Sequence, residues 1–211
     1  MATNFGWLFK INKWFSSLFK RKKNIKLGLY GSTNAGKTTL ANRISLDWLG
    51  EEVGTVSNIP HETRNIQKKE NIVVENNGKK LNMTLIDTPG IATRIDFEDF
   101  KKYGLKTKEA KNRAKEATQG IIEAIRWLDD MDVVIAVMDA TQNPYTQVNL
   151  TILGNLEARK IPVIIAANKI DLKNAKVKRI ENAFPQYKVI GISAKNGDNI
   201  EELYKIISDM V

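Results

Sequence analysis

Eight consecutive residues, Gly31-Ser32-Thr33-Asn34-Ala35-Gly36-Lys37-Thr38, have the types and spacing needed to hold a chain of phosphates. They spell G-x-x-x-x-G-K-[ST]. Glycine at Gly31 and Gly36 lets the main chain wrap the phosphates, where a side chain would block close approach. Inward-pointing N–H groups and a following helix N-terminus favour an anion. Lys37 can reach the β- and γ-phosphates, and Thr38 can hold a magnesium ion. Asn34, Ala35, Gly36 and Thr39 complete the expected phosphate contacts. The loop follows an apolar strand (Ile25, Leu27, Leu29) and precedes a helical run from Thr39 to Trp48, which is the context the motif requires.

Three further segments lie at the ends of apolar runs. Asn168-Lys169-Ile170-Asp171 follows an expected buried strand from Ile161 to Ala167. Asp171 can accept hydrogen bonds from guanine N1–H and the 2-amino group; adenine offers neither donor and would leave the carboxylate unpaired. Lys169 is expected to lie along the base, and Asn168 to tie this segment to the phosphate loop. Asp87-Thr88-Pro89-Gly90 ends an apolar strand (Leu81, Met83, Leu85, Ile86). Asp87 suits the outer shell of the magnesium, and the Gly90 N–H can sense a γ-phosphate. Ser193-Ala194-Lys195 follows Val189 to Ile192, with the Ala194 N–H placed to meet guanine O6.

In this order and spacing the four motifs resemble a translation-factor-type (TRAFAC) GTPase, most closely the Era-like branch, over about residues 25–211. Ser57-Asn58-Ile59-Pro60-His61-Glu62-Thr63-Arg64 resembles that branch's first switch. By that match Thr63 binds magnesium and senses the γ-phosphate, so Lys37, Thr63 and Gly90 are the expected catalytic group. The resemblance implies GTP and GDP as ligands, Mg2+ as cofactor, and hydrolysis of GTP to GDP and phosphate. Many small GTPases place a glutamine after Asp-x-x-Gly to orient the attacking water. Here the residue is Ile91, which cannot hold water, so the Thr63 backbone, a partner or a cation must do so. Asn34 sits where an asparagine of Era-like GTPases coordinates K+. A potassium ion there would put positive charge between the β- and γ-phosphates. The expectation is slow, potassium-stimulated hydrolysis; the alternative is that Asn34 only braces the loop. A GTP-dependent dimer across the switches would also complete the site.

The elements that must position these residues alternate strand and helix. Asn65–Glu75 and Lys79–Ile86 flank Asn76-Asn77-Gly78, a hairpin turn signal. Residues 91–105 are the expected second switch. Thr107 to Asp129, Tyr145 to Arg159, Val177 to Ala183 and Asn199 to Met210 read as helices, and Met131 to Met138 as a buried strand. The fold class is α/β: a three-layer P-loop G domain with a mostly parallel six-stranded sheet, one antiparallel edge strand and helices on both faces. His61, Arg64 and Arg94 read as loop residues rather than catalysts, and Trp48 and Trp127 as helix-face packing.

Charge divides the chain into two. The net charge is +9, with 33 basic and 24 acidic residues. Residues 1–26 hold Lys10, Lys13, Lys20, Arg21, Lys22, Lys23 and Lys26 with no acid, so the remainder is close to neutral. A basic, nucleic-acid-binding protein is therefore a misleading average. Leu8, Ile11, Phe15 and Leu18 follow helical spacing beside Trp7 and Trp14, with lysines mainly elsewhere around the wheel. Residues 1–24 are expected to form an amphipathic helix on an anionic membrane surface, ahead of the G domain at 25–211. Packing on a partner protein through residues 5–23, or stacking on RNA, are the alternatives. Lysines interrupt the apolar run, so a signal peptide is not expected. No cysteine is present and no run is apolar enough to span a bilayer, which suits a cytoplasmic protein, peripheral at the inner face of the membrane. Era-like proteins often act in ribosome assembly through an appended RNA-binding domain. The chain ends at Val211, just after the last expected helix, so that domain is expected to be missing.

Overall fold

A computed structural model of the chain describes residues 24–50, 66–76, 79–92, 101–102, 104 and 106–210. The expected N-terminal helix, the first switch with Thr63, Asn77-Gly78 of the hairpin turn and most of the second switch lie outside the described residues.

Six strands form one sheet. They are β1 (Asn24–Gly31), β2 (Gln67–Asn76), β3 (Lys79–Asp87), β4 (Val133–Asp139), β5 (Val163–Asn168) and β6 (Lys188–Ile192). Their order is β2-β3-β1-β4-β5-β6. Every neighbouring pair is parallel except β2 and β3, so β2 is the single antiparallel edge. The helices are α1 (Lys37–Leu49), α2 (Thr107–Arg126), α3 (Gln147–Ala158), α4 (Val177–Ala183) and α5 (Ile200–Met210).

The central strands β1, β4 and β5 are apolar on both faces because both faces are covered. Alternate residues take opposite sides. Leu27, Leu29, Ile135 and Ile164 join Leu40 and Ile44 of α1 and Leu203 and Ile207 of α5. Tyr30 and Val134 turn the other way, onto Ala124 of α2 and Ile152 and Leu156 of α3. Met138 and Ile165 meet Ile180 of α4 on that same side. This three-layer arrangement carries all the parallel strands' C-terminal ends to one edge, where an open α/β sheet places its ligands. β1 lies between β3 and β4, so the loops after β1, β3 and β4 converge.

Among the boundaries that differ from the sequence expectation, three have a visible cause. The long helix stops at Arg126, and Trp127–Asp130 tightens into a 3-10 turn. Asp129 and Asp130 are unfavourable at a helix C-terminus, where the macrodipole is negative. The following strand starts at Val133, because the Asp132 N–H donates to Lys26 O at 3.0 Å and its carboxylate accepts from the Lys26 N–H at 2.9 Å. The next helix begins at Gln147, with the Thr146 hydroxyl accepting from the Asn149 N–H. Trp48 packs against the core and lies 4.5 Å from the Tyr204 ring, and Lys68 sits 3.9 Å over the Trp127 ring.

Candidate functional site

The loop after β1 closes tightly because its glycines are demanded by the protein itself. A Cβ on Gly31 would fall 2.3 Å from Val137 O, and one on Gly36 would fall 2.2 Å from Asn168 Nδ2. Gly36 also has φ of 95°, in the left-handed region. Neighbouring strands, rather than ligand clearance alone, account for both positions. Gly36 to Thr39 open α1, so their N–H groups include the unpaired donors of a helix start. Lys37 is buried, and its Nζ donates to Ser32 O at 3.0 Å. Burial pushes its pKa down from 10.5 to about 8, against the pull of Asp87.

Asp87 ends β3 beside this loop and is fully buried. Its Oδ2 accepts from the Thr38 hydroxyl at 2.7 Å. Its Oδ1 is buried with no hydrogen-bond partner among the described residues. Burial holds the carboxyl above the ordinary carboxylate range, opposed by Lys37, Thr38 and Thr88. An orphaned carboxylate oxygen beside a threonine hydroxyl fits a hard, oxygen-seeking cation such as Mg2+, which takes few protein ligands and completes its shell with phosphate and water. No cluster of three acidic or histidine side chains exists among the described residues, and this kind of site needs none.

Gly90 backs directly onto the phosphate loop; a Cβ there would lie 2.7 Å from Thr33 Cα. The Ile91 N–H donates to Gly31 O at 3.1 Å, and its side chain is buried with Tyr30, Ile86 and Val134. Position 91 therefore points into the core. Asn34 is exposed in the left-handed region (φ 61°), and its side chain makes no hydrogen bond to the described residues. It does not brace the loop through its amide.

The second corner is built from the ends of β5 and β6. Asn168 is buried between two loops: Nδ2 donates to Ala35 O at 2.9 Å, and Oδ1 accepts from the Ala194 N–H at 3.0 Å. One side chain thus fastens the phosphate loop to both base-side segments. The Ser193 hydroxyl donates to Asp171 Oδ1 at 2.8 Å and accepts from the Asn196 N–H at 3.1 Å. This turns the exposed carboxylate and holds the loop. The Ala194 N–H, expected to meet guanine O6, donates to Asn168 Oδ1 in this structure. Lys195's N–H, one residue on, has no partner among the described residues. From α1, Arg43 donates to Lys195 O at 2.9 Å. Sequence reading missed Arg43 and Asp139. Neither belongs to a motif, and both reach their partners only across the fold.

A family model described as a 50S ribosome-binding GTPase matches residues 26–169. The chain belongs to this family, in its Era-like TRAFAC branch. The G domain is 29% identical to GTPase Era of Geotalea daltonii over 191 residues, covering 88% of this chain and 54% of that protein. It is 35% identical to GTPase Der of a Psychrobacter species over 193 residues, covering 87% of this chain and 35% of that protein. The chain thus spans about half the length, or less, of these curated relatives. The crystal structure of Aquifex aeolicus Era bound to GDP and aluminium fluoride superposes with a TM-score of 0.68 over 90% of this chain and 57% of that one, at 24% identity. A probable GTP-binding protein, EngB, gives 0.56 over 88% of this chain and 97% of that one, at 26% identity. Both share the Era-like fold of the G domain.

Proposed function

We propose that the G domain binds GTP with Mg2+, hydrolyses it to GDP and phosphate, and acts as a nucleotide-dependent switch. The observation that carries this is Asn168: its two hydrogen bonds join the phosphate loop to the base corner, so one ligand can engage Lys37 and Asp171 together. Lys37 neutralises the phosphates, and Asp171 selects guanine. Thr38, Asp87 and Thr63 hold the magnesium, which supplies positive charge at the β- and γ-phosphates. Gly90 and Thr63 sense the γ-phosphate. Asn34, exposed and with no side-chain hydrogen bond among the described residues, is free to hold K+, the cation that supports slow hydrolysis where Ile91 cannot orient water. Phosphate release from GTP, measured in KCl and in NaCl, tests both levels. Hydrolysis in neither salt overturns the activity; equal rates in the two overturn the potassium role.

The output is a membrane-surface switch, peripheral at the inner face, working through residues 5–23. No described helix is long and apolar enough to cross a membrane, so attachment would be through this interfacial segment. Co-sedimentation with anionic liposomes tests it, comparing full-length protein with a chain starting at Asn24, each with GDP or a non-hydrolysable analogue. Binding that needs residues 1–23 and follows the nucleotide supports the reading. Binding in neither state leaves a partner protein, a GTP-dependent dimer or RNA. The RNA reading has a specific basis in a fold neighbour, Era, solved with MgGDPNP and a segment of 16S ribosomal RNA, with a TM-score of 0.67. Co-sedimentation with ribosomal subunits tests that alternative.

A further inference from the structure

The residues that face the base are held from behind, and one holder is a carboxylate outside all four motifs. Asp139 is the last residue of β4 and lies level with Asn168, the last residue of β5. The chain turns through Lys169 in the left-handed region, φ 72°. That turn brings Lys169 Nζ to 2.7 Å from Asp139 Oδ2. Asp139 is itself anchored: its Oδ1 accepts from the Thr141 N–H at 2.9 Å and from the Thr141 hydroxyl at 2.7 Å. A local turn at the strand end accounts for Oδ1 alone and leaves Oδ2 to the lysine. The next residue ties the same strand end to the base loop, since the Ala140 N–H donates to Asn168 O at 2.9 Å.

An exposed ion pair would carry little weight. This one is 30% exposed at the lysine and 13% at the carboxylate. Burial works to raise the Asp139 pKa, but the hydrogen bonds from Lys169 and Thr141 outweigh it and hold the group below the ordinary carboxylate range. The carboxylate is therefore charged and fixed. A free lysine loses much rotamer freedom when a ligand orders it, whereas a lysine already pinned loses little.

We propose that Asp139 is a positioning residue for the nucleotide: it holds the Lys169 side chain along the face of the bound guanine, so the base meets a preset lysine. This rests on the guanine-nucleotide reading of the site. Lys169 touches the ring face, which guanine and hypoxanthine share, while Asp171 alone meets the 2-amino group. Losing Asp139 must then weaken GDP and IDP alike.

The test uses the full chain and displacement of a fluorescent GDP. Asp139→Asn is expected to raise the dissociation rate and the KM for GTP about tenfold, with kcat changed less than about twofold. GDP and IDP should weaken equally, whereas Asp171→Asn should weaken GDP more than IDP. In a Lys169→Ala background, Asp139→Asn should add no further loss. Asp139→Glu, which keeps the charge and serves if the asparagine variant does not fold, should fall between wild type and Lys169→Ala. An unchanged dissociation rate for these Asp139 variants, or losses that add to Lys169→Ala, would overturn the positioning role while leaving the guanine site standing. Failure of the wild-type chain to bind the fluorescent GDP would overturn both.

Discussion

The phosphate side and the base side of the site are built on opposite electrostatic plans. On the base side nearly every polar group is already partnered by protein: Asn168 with Ala35 and Ala194, Asp171 with Ser193, Lys169 with Asp139. On the phosphate side Asp87 Oδ1 is buried and unpartnered among the described residues, and Lys37 is buried with its charge disfavoured. A satisfied network rigidifies, and an unsatisfied buried group is costly until a ligand meets it. The base side is thus preset for recognition, while the phosphate side holds unmet polar demand that phosphates and magnesium would satisfy. Recognition and response occupy the two ends of one nucleotide.

The largest expected effect probes the phosphate side. Lys37→Met should cut single-turnover GTP hydrolysis by about 1000-fold, since a charge aimed at the phosphates is lost. If the contrast is right, the same change leaves the melting temperature of the nucleotide-free protein level or higher, because a desolvated ammonium has been removed. A clear fall in melting temperature would mean that this side is as self-satisfied as the other.

Asn168→Ala probes the base side and should do the reverse. It strands the buried Ala35 O and Ala194 N–H, and is expected to cost about 2–4 kcal/mol of stability even without nucleotide. Urea unfolding measures it. A loss seen only with nucleotide bound would break the contrast.

A pH series sharpens it further. Lys37 titrates at about 8 in the folded protein against an ordinary 10.5. Because the folded value is the lower one, its unfavourable contribution to folding is complete below pH 8 and fades as pH rises toward 10.5. Nucleotide phosphates need the ammonium, so GDP affinity should hold below pH 8 and fall by up to about tenfold per unit above it. Calorimetry at pH 9 in two buffers should show proton uptake on binding. No uptake would place the Lys37 pKa elsewhere.

Arg43→Ala is the mildest change. It removes an exposed hydrogen bond to Lys195 O, and should speed GDP dissociation only about two- to threefold. A much larger effect would make α1 a principal link between phosphate and base.

Much of the site was legible because its chemistry is local. A phosphate loop must have glycine where the backbone turns left-handed, lysine at its end and a helix after it. Gly36, Lys37 and Thr38 therefore advertise themselves in eight residues. The alternation of β1, β4 and β5, apolar on both faces, likewise announced a covered parallel sheet. Helix and strand ends were less legible. Val133 is a boundary set by the long-range bonds between Asp132 and Lys26, which leave no local mark.

The sequence by itself determined the ligand class and the fold class, because phosphate wrapping, guanine selection and a two-face-buried sheet each require particular residue types at short spacing. Only the tertiary structure decided which groups are already satisfied. It gave the Ala194 N–H to Asn168, left Asp87 Oδ1 without a partner among the described residues, turned Ile91 into the core and brought Asp139 to Lys169. Such pairings depend on how β4, β5 and β6 lie side by side, and hydrogen bonds across strands far apart in the chain follow register, which no local spacing records.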